Sequence, residues 1–326
     1  MYMIKKAVFY GAGEELDTFF ANDPVFDFEI AGVVDSRKVG QEFYGYKISD
    51  KGILKDISPD TAVVISSKKF CDEIRDSVHA LNPRLQCLAL ENIKESLPVT
   101  GYCNICGAQV RYWQYCGNHV STKYRIAGNG RRIGCCPNCF SSDRNRWVYF
   151  VLKNYTRLFE DGGAVLHFAP EKQIENQFRK NARIDYFTAD IMQGVTDYTV
   201  DMTKMPFGDG SFDYVIANHV LEHIPDEGKA VAEVKRCIRR EGKIILSFPV
   251  SPDTATVEIP GLSREERMYY YGQDDHVRLY GRDFKERMES YGLAVQVFQP
   301  YTILAGEMVD RIKVLDDDMV LICSIE

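Results

Sequence analysis

Two pairs of cysteines have the most specific chemical spacing in this chain. Each pair has the spacing C-x-x-C, and 29 residues lie between the pairs. A C-x-x-C turn presents two thiolates together, so two such turns can complete a tetrahedron around zinc and leave no open position. The spacing therefore predicts a structural zinc site with the ligands Cys103, Cys106, Cys136 and Cys139.

Alternatives to this ligand set stay open at the level of sequence. Cys135 competes with Cys136 for the fourth position, and only the C-x-x-C spacing favours Cys136. Cys116 and His119 are spare donors in the same stretch. Buried free thiols or a redox-active pair would also explain the cysteines, although a redox motif needs only one pair.

A group of polar residues follows the apolar runs of the C-terminal half. The turn 167–171 follows the run AVLHF, Asp190 closes IDYFTAD, and Asn218 closes FDYVIAN. Because the carboxyl ends of parallel strands share one edge of a sheet, these positions predict a ligand crevice. In that crevice Asp190 can chelate a ribose diol, and Asp201 with Met202 can reach the edge and face of an adenine.

His276, in the segment QDDHVR, is the first candidate for a general base. Asp274 or Asp275 can orient its imidazole, and Arg278 can hold an anionic substrate. His219, directly after FDYVIAN, is the second candidate. The alternative for His276 is a loop histidine that serves packing.

The run from His219 to His223 also has the spacing H-x-x-E-H of some zinc peptidases. It directly follows a buried-strand pattern, so we reject the peptidase interpretation and expect one zinc per chain. The connection 251–281 is long and contains three consecutive tyrosines, Tyr269 to Tyr271. This connection is either a lid over the acceptor substrate or a loop that covers a satellite core, that is, a small hydrophobic cluster apart from the main core.

The N-terminal part has a partial nucleotide-binding pattern. Gly11 and Gly13 follow the first apolar run, and Asp35 ends the second run 22 residues after Gly13. This spacing places a carboxylate where a βαβ unit binds ribose, although Leu16 replaces the third glycine. We expect Gly11, Gly13 and Asp35 to contact the nucleotide part of a substrate; a glycine turn beside a solvated acid is the alternative.

Charge and hydrophobic patterning divide the chain of 326 residues into three predicted modules, 1–97, 98–146 and 147–326. The net charge is -7, whereas residues 101–150 carry seven cations and one anion, or +6, which leaves about -13 elsewhere. This balance argues against a protein that coats nucleic acid over its whole surface. We expect no membrane span and, because a glycine turn interrupts the N-terminal apolar run, a cytoplasmic location.

The fold expected from the patterning is α/β, with two Rossmann-like doubly wound sheets flanking a small zinc-binding module. The first module, with VFYGAG, IAGVVDSRKVGQEFYGYKI and TAVVISS, resembles the Rossmann-like domains of bacterial sugar-modifying enzymes. These include sugar O-acyltransferases whose first domain holds a nucleotide sugar. The resemblance implies a nucleotide or nucleotide sugar as its ligand.

The block PFGDGSFDYVIANHVLEH resembles class I S-adenosylmethionine-dependent methyltransferases, and the likeness covers residues 147–326. Together, CPNCFSSDRNRW, VLHFAPE and GQDDHVRLYGRDF resemble a bacterial subset in which a zinc-ribbon-like segment with four cysteines precedes the methyltransferase domain. The resemblance implies a seven-stranded sheet and S-adenosylmethionine as cofactor. The expected cofactor-binding residues are His167, Ala169, Pro170, Glu171, Asp190, Asp201, Met202 and Asn218.

The first turn departs from that family, which carries glycines where this chain has Ala169 and Pro170. We expect Pro170 to begin the following helix and Glu171, in its first turn, to bind the ammonium of the cofactor. Arg278 and Tyr280 are expected to bind substrate, with His276, His219 and Asp275 in catalysis. A degenerate turn, retained only as scaffold, is the alternative.

The expected function is methyl transfer to a small anionic or sugar-nucleotide acceptor in the synthesis of polysaccharide precursors. One alternative is a methyltransferase for ribosomal or transfer RNA that uses the basic zinc module to bind phosphates. Another is a nucleotide-binding scaffold whose cofactor turn no longer functions.

Overall fold

The computed structural model describes residues 4–24, 26–118, 120–315 and 317–325. The chain divides into two compact units: the first contains Met1–Thr100 and Gln109–Tyr115, and the second contains Gly101–Ala108 and Cys116–Glu326. The chain therefore leaves the first unit, returns to it for seven residues, and leaves it again. All four cysteines of the predicted zinc site belong to the second unit. The division into three modules stays a prediction beside this division into two units.

The first unit is an α/β sheet covered by helices. Its elements are β1 (Lys6–Tyr10), α1 (Glu14–Phe20), β2 (Glu29–Val34), β3 (Glu42–Phe43), β4 (Tyr46–Ser49), β5 (Thr61–Ile65), α2 (Cys71–Leu81), β6 (Cys87–Ala89) and α3 (Leu90–Ser96). The strand order is β3-β4-β2-β1-β5-β6, and β1 pairs in parallel with both β2 and β5. Helix α1 ends at Phe20, and Ala21 is its C-cap.

One side chain of the first unit binds both backbone groups of Trp113 in the returning segment. The backbone N–H of Trp113 donates to Oδ1 of Asn22 at 2.7 Å, and Nδ2 of Asn22 donates to the Trp113 carbonyl at 2.9 Å. A single amide thus satisfies a backbone donor and a backbone acceptor, as a neighbouring strand would.

Short strands surround the cysteines, and a larger sheet follows. The short strands are β7 (Gly101–Tyr102), β8 (Gln109–Val110), β9 (Gln114–Cys116) and β10 (Arg132–Cys135). Next come α4 (Asp143–Tyr155), α5 (Leu158–Asp161), β11 (Gly163–Phe168), α6 (Lys172–Phe178), β12 (Ile184–Asp190), β13 (Tyr198–Thr199), β14 (Phe212–Asn218) and α7 (Glu227–Cys237). The chain ends with β15 (Ile238–Ser247), α8 (Arg264–Tyr271), α9 (Phe284–Ser290), β16 (Leu293–Phe298), α10 (Pro300–Ile303), α11 (Gly306–Ile312) and β17 (Val320–Ile325).

The sheet of the second unit has seven strands in the order β13-β12-β11-β14-β15-β17-β16. Strands β11, β12 and β14 run parallel, and β17 is antiparallel to both of its neighbours. The expected seven-stranded sheet is thus confirmed. Because β11 lies between β12 and β14, the carboxyl ends of these three strands meet at one edge, where the order of the strands reverses.

The connection 251–281 is more ordered than its length suggests. It contains α8, which begins with a capping box between Ser263 and Glu266. Tyr271 is buried in a small cluster with Ile126 and Leu279, whereas Tyr269 is exposed. The run of tyrosines is therefore divided between a satellite core and the surface.

Among the helices of the described residues, none combines the length and the apolar composition that crossing a bilayer requires.

Candidate cofactor and metal sites

The four predicted zinc ligands lie together in the second unit. Their ligand atoms are all within 4.8 Å of one another. The Sγ atoms of Cys103 and Cys139 are 3.7 Å apart, and those of Cys106 and Cys136 are 3.8 Å apart. A tetrahedral zinc with Zn–S bonds of about 2.3 Å requires S···S distances of about 3.8 Å. The cluster therefore has the dimensions of a zinc site.

Cys135 lies outside this cluster. Its Sγ donates to the carbonyl of Phe140 at 3.3 Å, so the structure groups Cys136, and not Cys135, with the other three thiols. Burial and the neighbouring Asp143 carboxylate raise the pKa of Cys116 to about 11, which disfavours the thiolate form. His119 lies outside the described residues.

The turn after β11 differs from the sequence expectation. Helix α6 begins at Lys172 with Glu171 as its N-cap, so Pro170 precedes the helix and is not its first residue. Ala169 has a φ of 44°, in the left-handed region that favours glycine, and its N–H donates to the Ala189 carbonyl at 2.9 Å. The alanine thus adopts the backbone conformation for which the family's glycine is suited.

A buried row of side chains supports this turn. Nδ1 of His167 lies 2.9 Å from the Tyr186 hydroxyl, and its Nε2 lies 2.9 Å from Oε2 of Glu171. Burial opposes ionisation of Glu171, but His167 outweighs it and holds the pKa of this carboxyl below its usual range. His167 is fully buried. It therefore positions the Glu171 carboxylate, whereas the sequence predicted a direct contact with cofactor.

The expected adenosine-binding residues lie at or just after the ends of the next two strands, β12 and β13. Asp190 is half-buried at the end of β12, and its Oδ1 accepts from the backbone N–H of Met192 at 2.8 Å. Asp201 is exposed and accepts from the N–H of Thr203 through Oδ1 at 2.8 Å. Met202, expected to face an adenine, is buried in the main core of the unit. Its packing role follows from the apolar residues around it.

Asn218, at the end of β14, has one half of its amide satisfied. Oδ1 accepts from the Ser247 hydroxyl at 3.1 Å. Its buried Nδ2 has no hydrogen-bond partner among the residues that the structure describes. A buried donor without a partner is costly, so this group is available for a ligand oxygen at the sheet edge.

His219 follows directly, with a φ of 53°. Nη1 of Arg144 lies 3.0 Å from its Nε2, and Oε1 of Glu222 lies 3.2 Å from its Nδ1. Burial and the Arg144 guanidinium hold the pKa of His219 well below its usual range, so the ring is neutral at pH 7. In the sequence Arg144 appears only as a charge, because an arginine at the start of a helix gives no indication of a partner 75 residues away.

His276 is oriented differently from the sequence expectation. Its Nδ1 lies 3.2 Å from the Tyr271 carbonyl, to which it donates, so a backbone group and not an aspartate orients the ring. Oδ2 of Asp275 instead lies 3.2 Å from Nδ1 of His223, and Asp274 pairs with Arg264. Asp274 and Asp275 lie in a turn that directs their carboxylates to these other partners.

Arg278 and Tyr280 are committed to the interior of the protein. The Arg278 guanidinium donates to the carbonyls of Leu221, Ile224 and Pro225 and pairs with Glu258. The Tyr280 hydroxyl donates to the buried Glu227. These contacts, and exposed fractions of 2% and 0%, correct the expectation that the two residues bind substrate.

A cleft of about 440 Å³ lies beside His276 in the second unit. The residues that line it include two cations, Arg132 and Arg144, together with Tyr271 and Gln273. Arg132 is already paired with Asp143, so Arg144 is the cation that an anionic ligand would meet first. This cleft is the candidate acceptor pocket of the unit.

The first unit has its own cleft, of about 320 Å³, at the carboxyl ends of β1, β2 and β5. Gly11, Gly13 and Asp35 all line it, as the sequence predicted, together with Ser66, which the sequence analysis missed. Gly11 has a φ of 100°, and a Cβ there would lie 2.6 Å from Oγ of Ser66. Glycine is therefore required at this position by both backbone and space.

Asp35 holds that glycine turn together. Its Oδ2 accepts from the N–H of Ala12 and its Oδ1 from the N–H of Arg37, each at 2.9 Å. The Asp35 carboxylate thus already accepts two hydrogen bonds from the backbone around the turn. Such bonds agree with the alternative interpretation, a glycine turn beside a solvated acid. A ribose contact by Asp35 stays a prediction.

Comparison with known families gives two matches within the chain. Residues 153–246 match the family model described as a methyltransferase domain, and residues 3–84 match one described as C2185-like, N-terminal. The first match covers β11 through β14 and nearly all of β15.

Individual relatives match only in part. A stretch of 104 residues is 30% identical to an uncharacterized 37.1 kDa protein in transposon TN4556 of Streptomyces fradiae, over 31% of this chain and 30% of that protein. A stretch of 89 residues is 34% identical to 27-O-demethylrifamycin SV methyltransferase of Amycolatopsis mediterranei (strain S699), over 27% of this chain and 31% of the relative. The chain therefore spans about a third of the length of these relatives. A structure of a SAM-dependent methyltransferase from Archaeoglobus fulgidus has a TM-score of 0.37 and 15% identity, over 55% of this chain and 93% of that chain.

The order of the seven strands and the family match together identify the sheet of the second unit as a class I methyltransferase fold. Residues 153–246 match a methyltransferase domain, which confirms the resemblance to class I methyltransferases over that part of the chain.

Proposed function

We propose that this protein transfers a methyl group from S-adenosylmethionine to a small anionic or sugar-nucleotide acceptor. The observation that carries the proposal is the match of residues 153–246 to a methyltransferase domain. Within this domain, strand β12 ends at Asp190 and strand β14 ends at Asn218. Both residues therefore lie at the carboxyl ends of parallel strands, the edge where such sheets bind ligands.

The residues around this edge fit the cofactor. The Glu171 carboxylate, kept ionised by His167, suits an ammonium group, and Asp190 suits a ribose diol. The unpartnered Nδ2 of Asn218 can donate to a carboxylate or hydroxyl of the ligand. S-adenosylmethionine supplies an activated methyl group, which leaves the protein to align the acceptor and accept its proton.

His219 is the stronger candidate for the proton acceptor. It is about one-quarter exposed, whereas His276 is 1% exposed. Its ring is neutral at pH 7, and Arg144 contacts its Nε2. Transfer of a proton to this nitrogen requires the guanidinium to move from the ring to the anionic acceptor. Asp275 would then act only through His223, which it contacts.

The cleft of the first unit supports a nucleotide-sugar acceptor or ligand. A glycine turn and Ser66 bring backbone close to the ligand space, and Arg37 adds a cation. Methylation of a polysaccharide precursor is the reaction class that this combination favours. The four thiols would hold a structural zinc, since their spacing leaves no open coordination position.

Asp190→Ala is expected to weaken S-adenosylmethionine binding at least tenfold, about 1.4 kcal/mol, because the mutant lacks the carboxylate that would chelate the ribose. Isothermal titration calorimetry measures this change. Asp185→Ala is the matched control, since Asp185 is an exposed carboxylate on the same strand. An unchanged dissociation constant in Asp190→Ala would remove this residue from the cofactor site, and no binding by the wild-type protein would favour the scaffold alternative.

The acceptor class can be tested by transfer of an isotopically labelled methyl group to a panel of nucleotide sugars and to total RNA. We expect label in a nucleotide sugar and none in RNA. Labelled RNA, with binding that weakens steeply as salt rises, would contradict the proposed acceptor and support the RNA alternative.

A further inference from the structure

We propose that Glu222, His223 and His276 form a second metal site, which binds a divalent transition-metal ion. Glu222 and His223 lie in a short 3-10 turn, Leu221–His223, soon after β14. His276 comes from the loop between α8 and α9, 53 residues later in the chain. One ligand atom from each residue lies within 4.8 Å of the others. Two imidazoles and one carboxylate are a set that binds zinc or iron and leaves positions open.

Two buried atoms in this cluster are unsatisfied. Nε2 of His276 and Oε2 of Glu222 have no hydrogen-bond partner among the residues that the structure describes. Both side chains are only 1% exposed, so solvent does not satisfy them either. A cation between them would satisfy both atoms at once, because each offers a lone pair.

The outer contacts of both imidazoles are those of metal-bound histidines. His276 donates through Nδ1 to the Tyr271 carbonyl, which fixes Nε2 as the free lone pair. Nδ1 of His223 faces the Asp275 carboxylate at 3.2 Å, which leaves its other nitrogen for the ion. A carbonyl or carboxylate on the remote nitrogen is the usual means of orienting a metal-binding imidazole.

The backbone around the cluster is fixed by residues from both segments. Nη1 of Arg278 donates to the carbonyls of Leu221 and Ile224 at 2.5 and 2.6 Å. The N–H of Val277 donates to the Glu222 carbonyl at 2.9 Å. Hydrogen bonds from Val277 and Arg278 therefore join the turn that carries Glu222 and His223 to the loop that carries His276. Such support holds ligands in place before the ion binds.

One of the three proposed ligands also lines a cleft. His276 lines the cleft of about 440 Å³ that also contains Gln273 and Asp274. A ligand oxygen from a hydroxyl, carboxylate or phosphate in that cleft could complete the coordination. This site differs from the peptidase pattern rejected above, because His219 is not among its ligands. It revises the expectation of one zinc per chain to two metal ions. Metal binding here does not depend on the methyl acceptor or on the cofactor.

Metal analysis of the full chain tests the proposal. After saturation with zinc and removal of excess by gel filtration, we expect about two zinc ions per wild-type chain, one in the four-cysteine cluster and one here. Glu222→Gln and His276→Gln should each retain about one, because each variant lacks one of three ligands. His79→Gln, in helix α2 of the first unit, is the control and should retain both. Retention of two ions by both Glu222→Gln and His276→Gln would overturn the ligand set.

Cobalt spectroscopy keeps the test independent of the variants' folding. Cobalt bound by thiolates has a sulfur-to-metal charge-transfer band, whereas cobalt bound by imidazole and carboxylate does not. We expect wild-type protein to bind a second equivalent with weak visible bands and no added charge transfer. If the wild type binds a single equivalent, with the thiolate signature alone, Glu222 and His276 form a metal-free buried pair and the proposal is wrong.

Discussion

Cys103→Ser is expected to release zinc from the four-cysteine cluster and to unfold the segment that this cluster holds together. Binding of zinc by four thiolates contributes apparent free energies of about 10–16 kcal/mol in small zinc domains, which far exceeds what the short strands β7 to β10 can supply. Zinc content by mass spectrometry and limited proteolysis of residues 101–146 measure the two effects.

Cys135→Ser is the control for this prediction. Cys135 is adjacent to a proposed ligand, but its Sγ donates to the Phe140 carbonyl instead of facing the cluster. The variant should therefore keep its zinc and its resistance to protease. Retention of the zinc by Cys103→Ser, or its loss from Cys135→Ser, would show that the ligand set is wrong.

Arg146→Met is expected to destabilise the second unit by about 4 kcal/mol or more. Arg146 is 0% exposed, and its guanidinium donates to the carbonyls of Gly134, Ser141, Ile312 and Lys313. Methionine fills a similar volume but leaves these buried acceptors without donors, at about 1–3 kcal/mol each. Urea denaturation followed by circular dichroism measures the loss.

Two further variants separate this role from charge alone. Arg146→Lys keeps the positive charge but lacks the planar fork that reaches several carbonyls, so it should also be destabilised. Arg157→Met removes a guanidinium from the surface and should change stability little, since Arg157 is exposed. Equal stability of Arg146→Met and the wild type would show that other donors replace the guanidinium.

The sheets could be predicted from sequence because their strands are continuous apolar runs. The residues TAVVI of β5 are all buried, and IDYFTAD and FDYVIAN are β12 and β14 without a change of bounds. Strand β13, at the edge of the seven-stranded sheet, could not be predicted in this way, because its two residues are both exposed and form no apolar run. Strand β15 begins at Ile238, in a polar stretch without an apolar run, because the chain shifts register there and pairs Phe212 with Ile238.

The sites could be predicted only where their pattern is local. Two C-x-x-C turns are visible within four residues each, and the structure brings them together. Arg278 appears in the sequence as a cation in a polar loop, because its carbonyl partners are 53 to 57 residues away. The capping box of α8 was a local pattern that the sequence analysis did not use, although Ser263 and Glu266 have the required spacing.

The return of the chain to the first unit limits how the protein can be cut. Residues 109–115 belong to the first unit, yet they lie between Cys106 and Cys136 in the sequence. An expression clone that stops near residue 97 would lack the peptide that Asn22 binds, and one that starts there would carry this peptide without Asn22. A cut after Cys139 would keep all four cysteines together but would separate Arg146 from the carbonyl of Gly134. No single cut between residues 97 and 146 therefore leaves both units intact.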